Sequence, residues 1–558
     1  MFTRHYCVWP EHVPRQLSVP ETSLFENLAN SARRFPDKTA IVYYDTELSY
    51  RELLAEVEAL AGYLQHAGVQ RGERVLLYMQ NSPQFVIGYY AILRADAVVV
   101  PVNPMNRTEE LEHYLIDTGA RVSLCAQELV PTLEPLLVAP GRLERLVVTA
   151  YAEYLRKPTD LPLPAELDEP FRAPSLSGAI GWRDALEAGH LPGPHRSMPV
   201  DLCVLPYSSG TTGAPKGCVH THRTVMAAVI QRSLWAQTFS DQVVLATLPF
   251  FHVTGMQGGL NGPVYTGSTM VIMTRWNREV AGELMQRYRV NIWINIATMA
   301  IDYLSAPDAD RFDTSSLTYV GGGGAAMPEA VEARLRRLAG LPYIEGYGMS
   351  ETIGATHANP LHLPKPQCLG VPVCGVDSRI VDPDTLTELG PNEVGEIITH
   401  TPSLFEGYWG RPEETAEVFV ERDGKRFFRT GDLAYHDEQG YFFMVDRIKR
   451  MINASGFKVW PCEVEGLMYR HPAIRECCVI AKPDARRGET VKACIVLNDG
   501  QQVAEADIVQ WARQEMATYK APTCVEFMSS LPRSSTGKVL WRKLQEWERE
   551  RELATTAG

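Results

Sequence analysis

The segment RVLLYMQNSPQFVIGYYAILRADAVVVPVNP, Arg74–Pro104, decides the fold class. Two apolar, β-branched runs flank a longer stretch whose apolar residues recur three and four apart, which reads as strand, helix, strand. Such alternation implies a largely parallel sheet with helices packed on it. Working outward, the chain between about Tyr151 and Val200 is rich in proline and poor in period (RKPTDLPLPAELDEPFRAPS), an irregular excursion between two halves of the body. A second alternation runs from Leu202 to about Gly348. After roughly Gln367, short strands with turn signals point to a small β-rich piece. Beyond YFFMVDRIKR the pattern becomes mixed α+β, with ECCVIAKP and VKACIVLN as strands and EADIVQWARQEM as a helix. The expected organisation is therefore an α/β subdomain over 1–200, a second over 201–366, a β-rich, barrel-like subdomain over 367–445 and a small α+β domain over 446–558.

Composition narrows the function. With 558 residues, 45% of them hydrophobic and 22% charged, the chain reads as a multidomain globular protein. Its apolar runs fall short of the roughly 20 residues a membrane span needs. The N-terminus lacks a signal-peptide core and the C-terminal TTAG is no peroxisomal address, so the expected compartment is the cytoplasm. The 11 cysteines show no CxxC or zinc-type spacing and are read as free thiols, with Cys477 and Cys478 in a buried strand. A net charge of −13 argues against a nucleic-acid partner. From Arg447 onward, however, 18 basic residues outnumber 14 acidic ones, against 36 and 53 before it. A basic C-terminal piece on an acidic body suits a lid over an anionic ligand.

The chemistry-bearing stretch is YSSGTTGAPKG, Tyr207–Gly217. Successive backbone N–H groups in a side-chain-poor loop make an anion-binding concavity. Ser208, Ser209, Thr211 and Thr212 add hydroxyl donors and Lys216 a mobile positive charge, a combination suited to polyphosphate. It is not a Walker loop, because no GK[ST] is present. A rival lies at LTYVGGGGAAMPEAVEARLRRLAGLPYIEGYG, where Gly321-x-Gly323-x-x-Ala326 fits the loose dinucleotide fingerprint and Glu345 follows at about the spacing of a ribose-binding acid. That would make a nicotinamide-dependent oxidoreductase, but it leaves the Tyr207 loop and the C-terminal half without a role.

With these motifs in hand, the chain resembles the adenylate-forming superfamily, which includes acyl-CoA synthetases, firefly-type luciferases and peptide-synthetase adenylation domains. YSSGTTGAPKG, LPFFHVTGM (Leu248–Met256), GGGGAAMP (Gly321–Pro328), YGMSET (Tyr347–Thr352), FRTGDLA (Phe428–Ala434), VDRIKRMINASGFKVWPCEVE (Val445–Glu465) and LPRSSTGKVL (Leu531–Leu540) follow in the family order. The resemblance implies activation of a carboxylate by ATP to an acyl-AMP, then transfer to coenzyme A. It implies that Thr211, Thr212 and Lys216 hold the β- and γ-phosphates, that Ser350 touches the α-phosphate, and that Glu351 helps hold Mg²⁺. Tyr347 would stack on adenine beside Gly348, opposite a wall of Gly324, Ala325 and Ala326. Asp432 would accept from the ribose hydroxyls with Arg447 adding charge. Lys538 would bridge the substrate carboxylate and the α-phosphate. Asp446 would be the hinge of a mobile lid, whose Gly456 and Lys458 face serves the thioester step.

The acid is read from the expected pocket: His252, Val253, Gly255, Met256, Gly258, Gly259, Gly322, Gly323 and Met349. No acidic residue there suits an amino acid, and small or apolar side chains leave room for a hydrocarbon chain. His252 is either a gate to that pocket or a packed structural histidine. Together with GYWGRPEETAEVF (Gly407–Phe419), which resembles bacterial fatty-acyl-CoA synthetases, this favours a medium- or long-chain fatty acid. An aromatic acid, with Trp276 or Trp293 shortening the tunnel, and transfer to a carrier protein are the alternatives. The partners are thus a carboxylic acid, ATP and CoA, with peripheral membrane contact and a homodimer left open. Asp96, where relatives commonly carry glycine, is read as remote from the chemistry.

Overall fold

The computed structural model describes residues 1–137, 143–208, 215–323, 327, 329–454, 457–484, 488–533 and 539–556. It divides into two compact units, one of 1–378 with 399–428, the other of 379–398 with 429–558.

The opening segment folds as read. Strand Arg74–Tyr78, helix Pro83–Arg94 and strand Val98–Pro101 form a parallel crossover, with Val75 opposite Val99. Ser82 caps the helix by accepting from Phe85 N–H, and Pro83 sits at its first position, where no N–H is required. All twelve helical residues are buried, as expected for a helix covered on every side. The neighbouring helix Tyr50–His66, started by a reciprocal Ser49–Glu52 capping box, packs against it.

Among the described residues the first unit holds a seven-stranded and a nine-stranded sheet. The seven-stranded sheet runs His220–Thr221, Leu202–Val204, Val98–Pro101, Arg74–Tyr78, Val122–Ala126, Arg145–Thr149, Ala179–Gly181, parallel except at its first pair. The nine-stranded sheet places Tyr319–Gly323 between Ile292–Ile296 and Ile344–Met349. At its far edge lie Thr39–Tyr43 and Thr46–Ser49, the former parallel to Thr269–Ile272. Sheet membership therefore does not follow a division near residue 200. Thr39–Tyr43 joins strands drawn from 243–372, and Leu202–Val204 joins those of the N-terminal segment.

Gly321, Gly322 and Gly323 of the rival motif lie inside a strand, while Gly324 and Ala326 lie outside the described residues. A Cβ on Gly321, Gly322 or Gly323 would sit 2.3, 1.7 or 2.4 Å from the carbonyl oxygens of Ile344, Asn295 and Gly346. Glu345 is buried and accepts N–H from Met327 and Cys368, both at 2.7 Å. Burial pushes its carboxyl up to about 7 against those two hydrogen bonds. These residues are committed to strand packing, which removes the oxidoreductase reading.

Asp96 follows helix Pro83–Arg94 at φ +61°, a left-handed conformation that favours glycine. Its carboxylate accepts from the N–H groups of Arg196 and Ser197 and from the Ser197 hydroxyl, each at 2.9 Å, and lies 2.8 Å from His195 Nδ1. Ser23 Oγ is 2.7 Å from His195 Nε2. The order is that of a hydrolase triad, but Ser23 is 1% exposed, so its hydroxyl is closed to substrates. The three side chains instead tie the start of helix Phe25–Arg34 to the 195–197 loop.

In the second unit, Asp432 pairs directly with Arg447 in an antiparallel ladder. The C-terminal part is a five-stranded sheet, among the described residues, whose Ile474–Asp484 strand carries Cys477 and Cys478, both buried. No helix among the described residues is long and apolar enough to cross a membrane.

Candidate active site

Strands Tyr207–Ser208 and Lys216–Gly217 pair antiparallel, Lys216 opposite Ser208, and so bracket the glycine-rich loop. Thr211 and Thr212 lie outside the described residues. The Lys216 ammonium pairs with Glu414 and stands 5.0 Å above the centroid of the Tyr408 ring. Tyr408 Oη donates to Glu351 Oε1 at 2.9 Å. Burial, and the Glu351 charge after it, push the phenol far above its ordinary range, so it stays a proton donor. One tyrosine thus touches both the loop lysine and the YGMSET carboxylate.

The backbone around Tyr408 is fixed at several points. Its N–H donates to Thr415 Oγ1 at 2.9 Å, Trp409 N–H donates to Gly217 O at 2.8 Å, and Phe405 N–H donates to Glu351 O at 2.9 Å. Tyr207 Oη and the Trp409 indole both reach Asp117, at 2.6 and 2.9 Å. Tyr408, Glu414 and Asp117 were not marked by sequence reasoning. The GYWGRPEETAEVF stretch was the available signal, but nothing local in it says which distant residues it meets.

Ser350 and Glu351 sit in a short 3-10 turn, Ser350–Thr352, held by Thr352 Oγ1, which donates to Gly354 O at 2.8 Å. The Ser350 carbonyl accepts from His220 Nε2 at 2.8 Å. Burial lowers His220 to about 4, so it is neutral and protonated on Nε2. Tyr347, half-buried on strand Ile344–Met349, meets His357 edge-on at 5.5 Å, while Gly348 is exposed. Gly324, Ala325 and Ala326 lie outside the described residues.

The expected acyl-pocket residues lie on several elements, of which Val253–Gly255 contacts strand Gly354–Ala358, where Gly354 pairs with Met349. Val253 and Met256 are buried in the main core. His252 Nδ1 accepts from Thr254 N–H at 3.3 Å, which is a helix-capping role. A Cβ on Gly255 would lie 2.1 Å from Pro249 O, and one on Gly258 2.7 Å from Ile294 Cδ1, so close packing fills the space these glycines leave. Gly322 and Gly323 are closed off between strands, as described above. Met349 packs with Phe405 and Tyr408. Met256–Asn261 is a π-helical turn, a feature frequent at functional sites and invisible to a 3.6-residue pattern. Trp276 and Trp293 stack at 5.9 Å.

In the second unit, Asp432 is 1% exposed in its side chain and lies 3.0 Å from Arg447 Nε. Asp446 accepts from Arg447 N–H at 2.7 Å and from Cys462 N–H, in the first turn of helix Pro461–Met468, at 2.8 Å. Burial raises its carboxyl despite nearby Arg450. Lys458 lies on strand Phe457–Val459. Gly456 and Lys538 lie outside the described residues.

A family model described as AMP-binding enzyme matches residues 28–409, and one for the AMP-binding enzyme C-terminal domain matches 463–538. The chain belongs to the AMP-binding enzyme family. It is 34% identical to a long-chain-fatty-acid–CoA ligase of Bacillus subtilis over 97% of each chain. Among solved structures, an anthranilate CoA ligase in complex with anthranoyl-AMP is 27% identical with a TM-score of 0.81, covering 95% of this chain and 98% of that one. ATP-bound MatB from Rhodopseudomonas palustris is 26% identical with a TM-score of 0.82, covering 94% and 99%. The α/β fold with a separate C-terminal domain is the one these AMP-binding enzymes share.

Proposed function

We propose that this AMP-forming CoA ligase converts a long- or medium-chain fatty acid, ATP and coenzyme A to acyl-CoA, AMP and pyrophosphate. The geometric observation that carries the reading is the meeting of Lys216 and Glu351 at Tyr408. It supports the reading because a cation suited to polyphosphate and a carboxylate suited to a hard metal ion both contact one tyrosine. The near full-length similarity to a fatty-acid–CoA ligase supports the choice of acid.

A carboxylate is a poor electrophile. Its oxygen attacks the α-phosphorus of ATP, the bond to the β-phosphate oxygen breaks, and pyrophosphate leaves. The thiolate of CoA then attacks the acyl carbon and AMP leaves with the carbon–oxygen bond electrons. Bringing two anions together needs positive charge and N–H donors placed beforehand. Lys216 supplies charge and Thr211 and Thr212 hydroxyls to the phosphates, Ser350 meets the α-phosphate, and Tyr347 flanks adenine. Asp432 and Arg447 take the ribose, Lys538 the reacting carboxylate, and Gly456 and Lys458 the thioester step, with Asp446 the hinge of the 446–558 lid.

Among the described residues no three His, Cys, Asp or Glu side chains cluster to hold a metal. A single carboxylate, Glu351, together with substrate phosphate oxygens and water, fits Mg²⁺, which keeps much of its water shell. Bound there, it would neutralise phosphate charge.

The similarity to an anthranilate CoA ligase supports a second reading, an aromatic acid handled by the same chemistry. Release of AMP, measured with ATP, Mg²⁺ and CoA across straight-chain acids and benzoate and cinnamate types, tests both. CoA-dependent turnover peaking among the longer straight-chain acids is expected. A peak among aromatic acids would move the substrate, and turnover indifferent to CoA would remove CoA as the acceptor.

A further inference from the structure

Lys216 and Glu351 carry opposite charges, and both contact Tyr408. Its ring lies beneath the ammonium at 5.0 Å and its hydroxyl on the carboxylate at 2.9 Å. We propose that Tyr408 is a positioning residue that holds Lys216 by its ring and Glu351 by its hydroxyl, with Glu414 the counter-ion that Lys216 leaves when polyphosphate arrives. The inference rests on the proposed function, and deepens it by naming what sets the two charges in place.

Tyr408 is built for this. Its backbone is anchored by Thr415 and by the bridge to Cys218, and its ring lies edge-on to buried Phe405 at 5.0 Å. A cation can leave an aromatic face without abandoning a buried charge there. Glu414 belongs to the short helix Pro412–Glu417 and its side chain is 37% exposed, so it re-solvates readily once Lys216 departs. Arg411, 3.7 Å from Glu414 and 3.4 Å from Asp117, remains beside it.

The two ends of Tyr408 are separable by substitution. ATP binding is measured by calorimetry on the full chain, with Mg²⁺ and with the metal chelated, alongside the melting temperature of each variant. Tyr408→Phe keeps the ring and loses the hydroxyl. It should raise the Mg²⁺ concentration needed for half-maximal ATP binding about tenfold, as loss of one hydrogen bond to a charged group implies, and leave metal-free binding unchanged. Tyr408→Leu should weaken both. Glu414→Gln should tighten metal-free ATP binding several-fold, because Lys216 no longer has the Glu414 carboxylate to leave.

An unchanged Mg²⁺ requirement in Tyr408→Phe, or equal or weaker metal-free binding in Glu414→Gln, overturns the inference. So does a loss of binding that merely follows the melting temperature. If the unmodified chain binds ATP with Mg²⁺ but adenylates no acid, the proposed function falls while the binding data still decide the role of Tyr408. If it does not bind ATP, both fall.

Discussion

At the scale of single residues, the chain uses charge where backbone geometry alone would ask for glycine. Asp96 holds a left-handed conformation, and its carboxylate gathers two backbone N–H groups, a hydroxyl and His195. Burial opposes ionisation, but the contacts from His195, Arg196 and Ser197 win and hold the carboxyl down to about 2. A folded value below the unfolded one, about 3.9, means that this contribution is complete above pH ~4 and is lost as pH falls toward 2. Asp96→Ala should lose roughly 2–4 kcal/mol, since two partly buried backbone donors lose their charged acceptor and the strain stays. Asp96→Gly should recover about 1 kcal/mol of that. Urea unfolding at pH 7 decides it, and equal stability of all three chains would contradict the argument. Nothing in the local sequence announces these partners, which lie about a hundred positions away. Sequence reasoning read Asp96 as remote from the chemistry and could not see its structural role.

At the scale of elements, pattern reading succeeds where the signal is local. Strand Arg74–Tyr78, helix Pro83–Arg94 and strand Val98–Pro101 follow from periodicity, from Ser82 and from Pro83. It fails where pairing is distant, as with Thr39–Tyr43 beside Thr269–Ile272, or where two structures share one composition. A glycine run can make a phosphate-binding turn or, as at Gly321–Gly323, a strand that lets its neighbours close in. The resolving fact, an Asn295 carbonyl 1.7 Å from where a Gly322 Cβ would stand, is tertiary. Gly322→Ala should therefore force the strands apart and cost about 1–3 kcal/mol or more. A melting temperature within error of the unmodified chain would refute this packing account. The candidate site is legible in the same measure. YGMSET and YSSGTTGAPKG stand out as motifs, whereas Tyr408 and Glu414 become visible only once residues 216, 351 and 408 are brought together.

At the scale of the whole molecule, four buried histidines set an acid limit. Burial lowers His5, His220 and His222 to about 4 and His357 to about 3. Their unfolded value is near 6.5, so between there and the folded values the unfolded chain binds more protons. Stability is then complete above pH ~6.5 and is lost as pH falls through that window. The slope is as much as about 1.4 kcal/mol per pH unit for each histidine. All four lie in the first unit, and His220 donates to the Ser350 carbonyl, so the site fails with the fold. Thermal melts at pH 7.5, 6 and 5 should fall steeply at the last two, and a flat profile would show that these histidines are not held neutral.

The central claim, that the chain activates a fatty acid through its adenylate, is tested most directly by following oxygen. A long-chain acid labelled with ¹⁸O in both carboxylate positions is incubated with the protein, ATP, Mg²⁺ and CoA, and the AMP formed is weighed by mass spectrometry. Attack of the carboxylate on the α-phosphorus predicts one labelled oxygen in AMP and the other in acyl-CoA. Unlabelled AMP, or ADP with labelled phosphate, would contradict the account.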